Sequence, residues 1–149
     1  KKGLPTFHRK NEMMWFIVLQ AVTVAGFVIW SPWLGIAFIV QSVVAFSLLE
    51  AVNYIEHYGL ERRERKNGKY DAVNEEHSWN SDHIVSRYLL FELTRHSDHH
   101  AHAARKYQTL RSFENSPQLP TGYPGMIVLS VLPPLFFKVM NPLAEQYRK

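Results

Sequence analysis

The run "LTRHSDHHAHAARKYQTL", Leu93 to Leu110, crowds His96, His99, His100 and His102 into seven positions, half of the chain's eight histidines. On an α-helix each residue advances about 100°. Measured from His96, His99 falls at about −60° and His100 at about +40°, so the three rings share one face. His102 falls about 60° beyond His99, outside that cluster. Three imidazoles on one face make a poor core, and protonated together they repel. Neutral imidazole is the commonest metal ligand, so a bound cation resolves both difficulties. An all-imidazole set suits iron, copper, zinc or nickel. The competing reading of H-x-x-H-H is a solvated, histidine-rich helix face.

The rest of the chain must position these rings. Its 149 residues suit one domain or part of a larger one. There is no cysteine, which excludes a disulfide framework, a zinc ribbon, an iron–sulfur cluster and a rubredoxin-type centre. The net charge of +4 is modest and the cations are not interleaved with aromatics, so nucleic acid is not an expected partner. The start, "KKGLPTFHRK", lacks a methionine and any recognisable signal peptide, which suggests a piece of a longer protein.

Mean hydropathy is slightly negative, but the apolar residues are concentrated. "MMWFIVLQAVTVAGFVIW", Met13 to Trp30, carries no charge, and "LGIAFIVQSVVAFSLLEAV", Leu34 to Val52, carries only Glu50. Each is about 28 Å long as a helix, close to the roughly 30 Å hydrocarbon core of a bilayer. Both are apolar all round, and the remaining chain is too short to bury them. The expectation is a transmembrane helical hairpin over residues 12–57, turning at Ser31-Pro32, with Trp15, Trp30 and Trp33 at its interfaces. Lys1, Lys2, Arg9 and Lys10, in a basic flank over residues 1–11, precede it. Arg62, Arg63, Arg65, Lys66 and Lys69 follow it. The turn is uncharged, so both flanks are expected on the cytoplasmic side, and the histidines with them.

The second span continues as "LLEAVNYIEHYGL", which carries Glu50, Asn53, Glu56 and His57 out of the membrane. Ionisable residues at such a boundary are costly and usually face a site. For His57 taken alone, an ordinary interfacial histidine is an equal reading. The charged "ERRERKNGKYDAVN" reads as a solvated loop or a short hairpin on a type I′ Asn67-Gly68 turn. "HIVSRYLLFELTRHSDHHAHA" reads as one helix bearing the cluster, with Asn80, Ser81 and Asp82 as candidate caps. Six of the eight prolines follow Ser116, which argues against one long C-terminal helix. Met126 to Met140 is expected to be interfacial or packed on protein, not a third span. "LPTGYPG" could lie over the metal site as a rigid loop. The fold class expected is an all-α membrane protein. A hairpin is followed by a histidine-rich helical cap over residues 58–149 with an irregular, proline-rich C-terminal segment.

"NYIEHYGLER", "LTRHSDHHA", "ARKYQTLR" and "LPTGYPGMI" resemble the C-terminal part of the integral-membrane alkane 1-monooxygenases. These are rubredoxin-dependent, non-haem di-iron ω-hydroxylases, and the likeness runs over essentially the whole chain. It implies that His57, His96, His99 and His100 are ligands of two iron ions. The H-E-x-x-H and E-H-x-x-G-H-H boxes of the family are absent from this sequence, so the other ligands are expected from a preceding part. The isolated chain is then expected to be inactive. His102 stands at a non-ligand position, and His8, His77 and His83 match no ligand. Glu56, Asp98 and Asn53 are candidate acceptors for orienting ligand histidines; for Asp98, solvent exposure is an equal reading. The implied reaction uses O2, two electrons and two protons to turn a terminal methyl into a primary alcohol. The implied setting is the bacterial inner membrane, with the site facing the cytoplasm. Electrons are expected from rubredoxin, separate or fused, fed by a rubredoxin reductase. Arg105, Lys106 and Arg111 are its expected docking cations. The arginines and lysines of the charged loop are more readily assigned to anionic lipid. Alternatives are a xylene monooxygenase, a fatty-acid desaturase or hydroxylase, and a non-catalytic metal-binding membrane module.

Overall fold

The computed structural model describes His8 and residues 10–148; Lys1, Lys2 and Arg9 of the basic flank lie outside the described residues. The elements among them are helical. The chain divides into two compact units, the first ending at Ser47 and the second beginning at Leu48.

In the first unit, α1 spans Glu12–Trp30 (19 residues) and α2 begins at Pro32 and runs to His57 (26 residues). Asn11 caps α1 by accepting from the Met13 amide, the usual role of asparagine before a first turn. The turn is short. The Ser31 N–H closes α1 on the Phe27 carbonyl, while its own carbonyl accepts from Gly35. Pro32 opens α2, where the missing N–H costs nothing. Phe27 meets Phe38 with centroids 5.0 Å apart. Gly35 lies against Val28 so closely that a β-carbon would sit 2.4 Å from Val28 Cγ2. Both helices are long and apolar enough to cross a membrane, and no α1 residue is buried.

The second unit has a conventional core of Ile55, Trp79, Leu119, Tyr123, Met126, Phe136, Met140 and Ala144. Its hub is the segment 78–82. Trp79 donates its backbone N–H to the Glu56 carbonyl and its indole N–H to the Tyr58 carbonyl, each at 2.8 Å. The Glu56 carbonyl is an orphan of α2's last turn and that of Tyr58 follows it directly, so Trp79 completes that helix end. Gly59, at φ 68°, turns the chain away from α2.

The expected single histidine helix is two. α3 spans Ile84–Leu89 and α4 spans His96–Ala101. Between them Phe91 and Glu92 adopt φ of 50° and 62°. The left-handed turn is held by a two-pronged ion pair from Arg87 to Glu92, each hydrogen bond 2.8 Å, and by the Glu92 N–H on the Arg87 carbonyl. The expected caps also act elsewhere. His83 occupies the N-cap of α3 without a side-chain bond. Asn80 instead accepts from the Ser97 amide at 2.9 Å and donates to Ser97 Oγ at 2.6 Å, so it caps α4 from across the fold. Asp82 pairs with Arg95 at 3.0 Å and accepts from Ser112.

Residues 65–69 form the expected turn, but not type I′. Only Gly68 of the Asn67-Gly68 pair has positive φ, and Arg65 is bonded to both Gly68 and Lys69. That pattern is a three-residue loop with a glycine bulge. The C-terminal segment, expected to be irregular, carries α5 (Tyr123–Ser130) and α6 (Pro133–Tyr147). Each has proline in its first turn, where the ring favours rather than breaks a helix. Met126, Phe136 and Met140 are buried, so this stretch packs on protein.

Candidate metal centre

Trp79 on the end of α2 and Asn80 on the start of α4 bring His57 to His96. The ring centroids of His57 lie 5.2 Å from His96 and 5.0 Å from His100, and those of His96 and His100 lie 4.4 Å apart. One nitrogen from each of these three rings lies within 4.8 Å of the others. His96 Nε2 and His100 Nε2 are 2.8 Å apart. Two nitrogens at right angles on one metal, each about 2.1 Å from it, would be about 3.0 Å apart, so the spacing of this pair suits a shared cation as well as the hydrogen bond it makes between the rings. His99 lies alongside, 5.8 Å by centroid from both His96 and His100, but outside the three-donor group.

The donor set fits a cation on its chemistry as well as its spacing. Burial, and then the neighbouring imidazoles of His100, His57 and His99, push the His96 pKa down to about 3, while a hydrogen bond to the Leu93 carbonyl acts the other way. Burial and the imidazoles of His57 and His99 lower that of His100 too. Both rings are therefore neutral near pH 7. His96 Nε2 faces both His100 Nε2 and Glu56 Oε2. Glu56 Oε2 stands only 3.2 Å from that nitrogen. Burial pushes the Glu56 pKa up to about 7, against the Tyr123 hydrogen bond that lowers it, so the contact is filled either by a proton on the carboxyl or by a cation that displaces it.

Several of the expected site residues have other partners. Asp98 does not hold a ligand histidine. It is fully buried, and its oxygens accept from Arg105, from His102 Nδ1 at 2.8 Å and from the Arg111 N–H at 2.8 Å. Burial alone would raise its pKa; these donors outweigh that and hold the carboxyl below its ordinary range. Arg105 is therefore not a free docking cation, since its guanidinium is bound to Asp98 and only 18% exposed. Lys106 and Arg111 remain exposed. Asn53 is exposed on α2 and makes no hydrogen bond to the cluster among the described residues. His102 is the C-cap of α4, outside the helix proper, and its Nδ1 pairs with Asp98 at 2.8 Å. Sequence reasoning missed Tyr123. Its buried hydroxyl donates to Glu56 Oε1 at 2.8 Å, and only the proximity of "LPTGYPG" to the site hinted at it.

Comparison with known proteins agrees with this geometry. Residues 2–130 match the fatty acid desaturase family. The chain is 53% identical over 99% of its length to alkane 1-monooxygenase 2 of Pseudomonas aeruginosa, and 47% identical, again over 99%, to alkane 1-monooxygenase 2 of Alcanivorax borkumensis. It is 28% identical over 94% to the xylene/toluene monooxygenase hydroxylase component of Pseudomonas putida. It spans 39% of the length of the first two and 37% of the third. A match that takes in both membrane-length helices and every histidine of the cluster means that the chain belongs to the fatty acid desaturase family, with the alkane 1-monooxygenases among its homologues.

Proposed function

We propose that the chain is part of an integral-membrane, non-haem di-iron monooxygenase that converts the terminal methyl of an alkane to a primary alcohol. The balanced reaction is RCH3 + O2 + two electrons + two protons giving RCH2OH and water. The observation that carries this reading is the convergence of His57, His96 and His100 in a chain 53% identical to an alkane 1-monooxygenase. The lower identity of 28% to the xylene/toluene hydroxylase component favours a linear alkane over an aromatic substrate.

His57, His96 and His100 would hold one iron. His99, on the same face but outside that group, would serve the second, with further ligands from a part of the protein beyond this chain. The chemistry iron supplies there is O2 activation for insertion of one oxygen atom into a C–H bond. The protein's own part is to present neutral imidazoles, which burial and mutual repulsion secure for His96 and His100. A site at the end of a membrane-length helix suits a substrate that dissolves in lipid. Arg62, Arg63, Arg65, Lys66 and Lys69 after the second span support a cytoplasmic placement at the bacterial inner membrane. Electrons would come from rubredoxin.

The test is octane turnover by the full-length protein with O2, rubredoxin and its reductase, with iron measured on the same sample. The expected product is 1-octanol. Oxidation of xylene or of acyl chains with octane untouched would overturn the substrate assignment.

A further inference from the structure

We infer that Tyr123 is a positioning residue of the metal centre, fixing the Glu56 carboxylate against the histidine set. The inference rests on the proposal that these histidines bind metal.

Glu56 is the one carboxylate in contact with the three-donor group among the described residues. Its side chain is 8% exposed, and its two oxygens have separate tasks. Oε2 faces His96 Nε2 at 3.2 Å, and Oε1 accepts from the Tyr123 hydroxyl at 2.8 Å. Glu56 is on the last turn of α2 and Tyr123 on the first turn of α5. The phenol therefore sets the carboxylate's torsion from outside its own helix. With Oε1 held, rotation about the last side-chain bond is blocked and Oε2 stays pointed at the ligand nitrogen.

Tyr123 is itself over-determined, as a positioning group must be. It is 1% exposed. Its backbone N–H donates to buried Ser86 Oγ at 2.8 Å. The preceding Gly122 lies so close that a β-carbon would sit 2.6 Å from the same Oγ and 3.3 Å from His83 Cβ. Only glycine lets the α5 entry approach α3 this closely, and that approach delivers the ring beneath Glu56. Burial first, and the neighbouring carboxylate second, push the phenol's pKa far up, so it stays a donor across the working pH range. A phenylalanine would fill the same core space and leave Oε1 buried without a partner.

The experiment uses full-length protein stripped of metal and titrated with cobalt(II), followed by the visible ligand-field bands, with iron(II) affinity measured in parallel. Groups that orient metal ligands typically change affinity by about 10- to 100-fold when removed. Tyr123→Phe is expected to weaken cobalt(II) binding about tenfold and to shift its bands. Glu56→Gln is expected to do at least as much, and the double variant no more than Glu56→Gln alone, because the tyrosine acts only through the glutamate. Glu56→Asp keeps the charge but draws it back from both partners, so it should resemble Tyr123→Phe; it serves as the reading if Tyr123→Phe does not fold. A Tyr123→Phe or Glu56→Asp protein with wild-type cobalt affinity and bands would overturn the inference while leaving the metal site standing. Losses that add in the double variant would also overturn it. A wild type that takes up no cobalt or iron would overturn the metal reading and this inference together.

Discussion

The two units of the chain use apolar residues in opposite ways. In the first, Phe16, Ile17, Leu19 and Trp30 are 58%, 60%, 63% and 80% exposed, and no residue of α1 is buried. In the second, Trp79, Phe136 and Met126 are at most 1% exposed, and polar Ser78, Asn80, Ser86, Thr94 and Asp98 are buried among them. The hairpin draws its stability from whatever surrounds it, since its side chains have few partners of their own. The second unit makes its own interior and places its chemistry there. The lesson is a division of labour. A uniformly apolar helix specifies an environment, whereas buried hydrogen bonds such as Asn80 to Ser97 specify a geometry.

The largest effect expected from this division is on metal binding. Alanine at His57, His96 or His100 should lower bound iron more than about tenfold, beyond what loss of a supporting group does, and abolish turnover. Alanine at His99 should lose the second iron proposed above. His102→Ala should keep iron, because that ring serves Asp98. Alanine at Gln20 or Gln41, polar positions of the hairpin helices, should leave iron unchanged. Iron lost from a hairpin variant, or retained by His96→Ala, would break the division.

The same truncation in both units gives the next contrast. Phe136→Ala removes a ring 1% exposed and should cost about 3–5 kcal/mol. Phe16→Ala removes one 58% exposed and should stay within about 0.5 kcal/mol in detergent. Denaturant midpoints of the two purified variants decide. Equal losses would mean that the hairpin has a packed interior of its own.

Much of this was legible in the sequence because period and composition are local. The spans, expected at Met13–Trp30 and Leu34–Val52, appear as Glu12–Trp30 and Pro32–His57. The shared face of His96, His99 and His100 followed from helix angle alone. What failed was decided by distant partners. "LLFELT" contains no glycine or proline, so nothing local announced that Phe91 and Glu92 would turn left-handed. The Arg87–Glu92 ion pair enforces it. Asn80 reads as a cap for the helix that follows it, yet it caps one beginning sixteen residues on, at His96. Asp98 reads as a partner for its histidine neighbours because helical spacing says nothing of Arg105 arriving from beyond the helix. Pro124, Pro133 and Pro134 read as breakers when they are helix starters, and α6 runs on through Pro142.

Two glycines should respond with opposite signs. Gly59 has φ 68°, and a β-carbon there would sit 2.7 Å from Ala144 Cβ. Gly59→Ala should destabilise the second unit by about 1–2 kcal/mol from backbone strain alone. Gly26 lies inside α1 with nothing within 4 Å, so Gly26→Ala should stabilise that helix by about 0.5–1 kcal/mol. Thermal melts of both variants would check this; a stabilised Gly59→Ala would mean that α2 does not end in the left-handed turn.

The smallest effect concerns the electron donor, and it asks which unit's cations receive it. The proposed donor, rubredoxin, is a small and usually acidic protein, so opposite charges on this chain should steer it. Among the three cations expected beyond the histidines, Arg105 is bound to Asp98. Reversing its charge would bury two carboxylates together and damage the fold, so it cannot report on docking. Lys106 and Arg111 are exposed and follow the ligand helix by a short path. Steered association weakens as salt shortens the roughly 10 Å Debye length, mainly through the on-rate. Reversal of Lys106 and Arg111 together should raise the KM for rubredoxin a few-fold and flatten its salt dependence, with kcat at saturating donor and iron content unchanged. Reversal of Lys10, beside the hairpin, should do neither. If KM responds to Lys10 and not to Lys106 and Arg111, the donor docks by the first unit's flank. If it responds to none of them and not to salt, docking is not steered by this chain's charges.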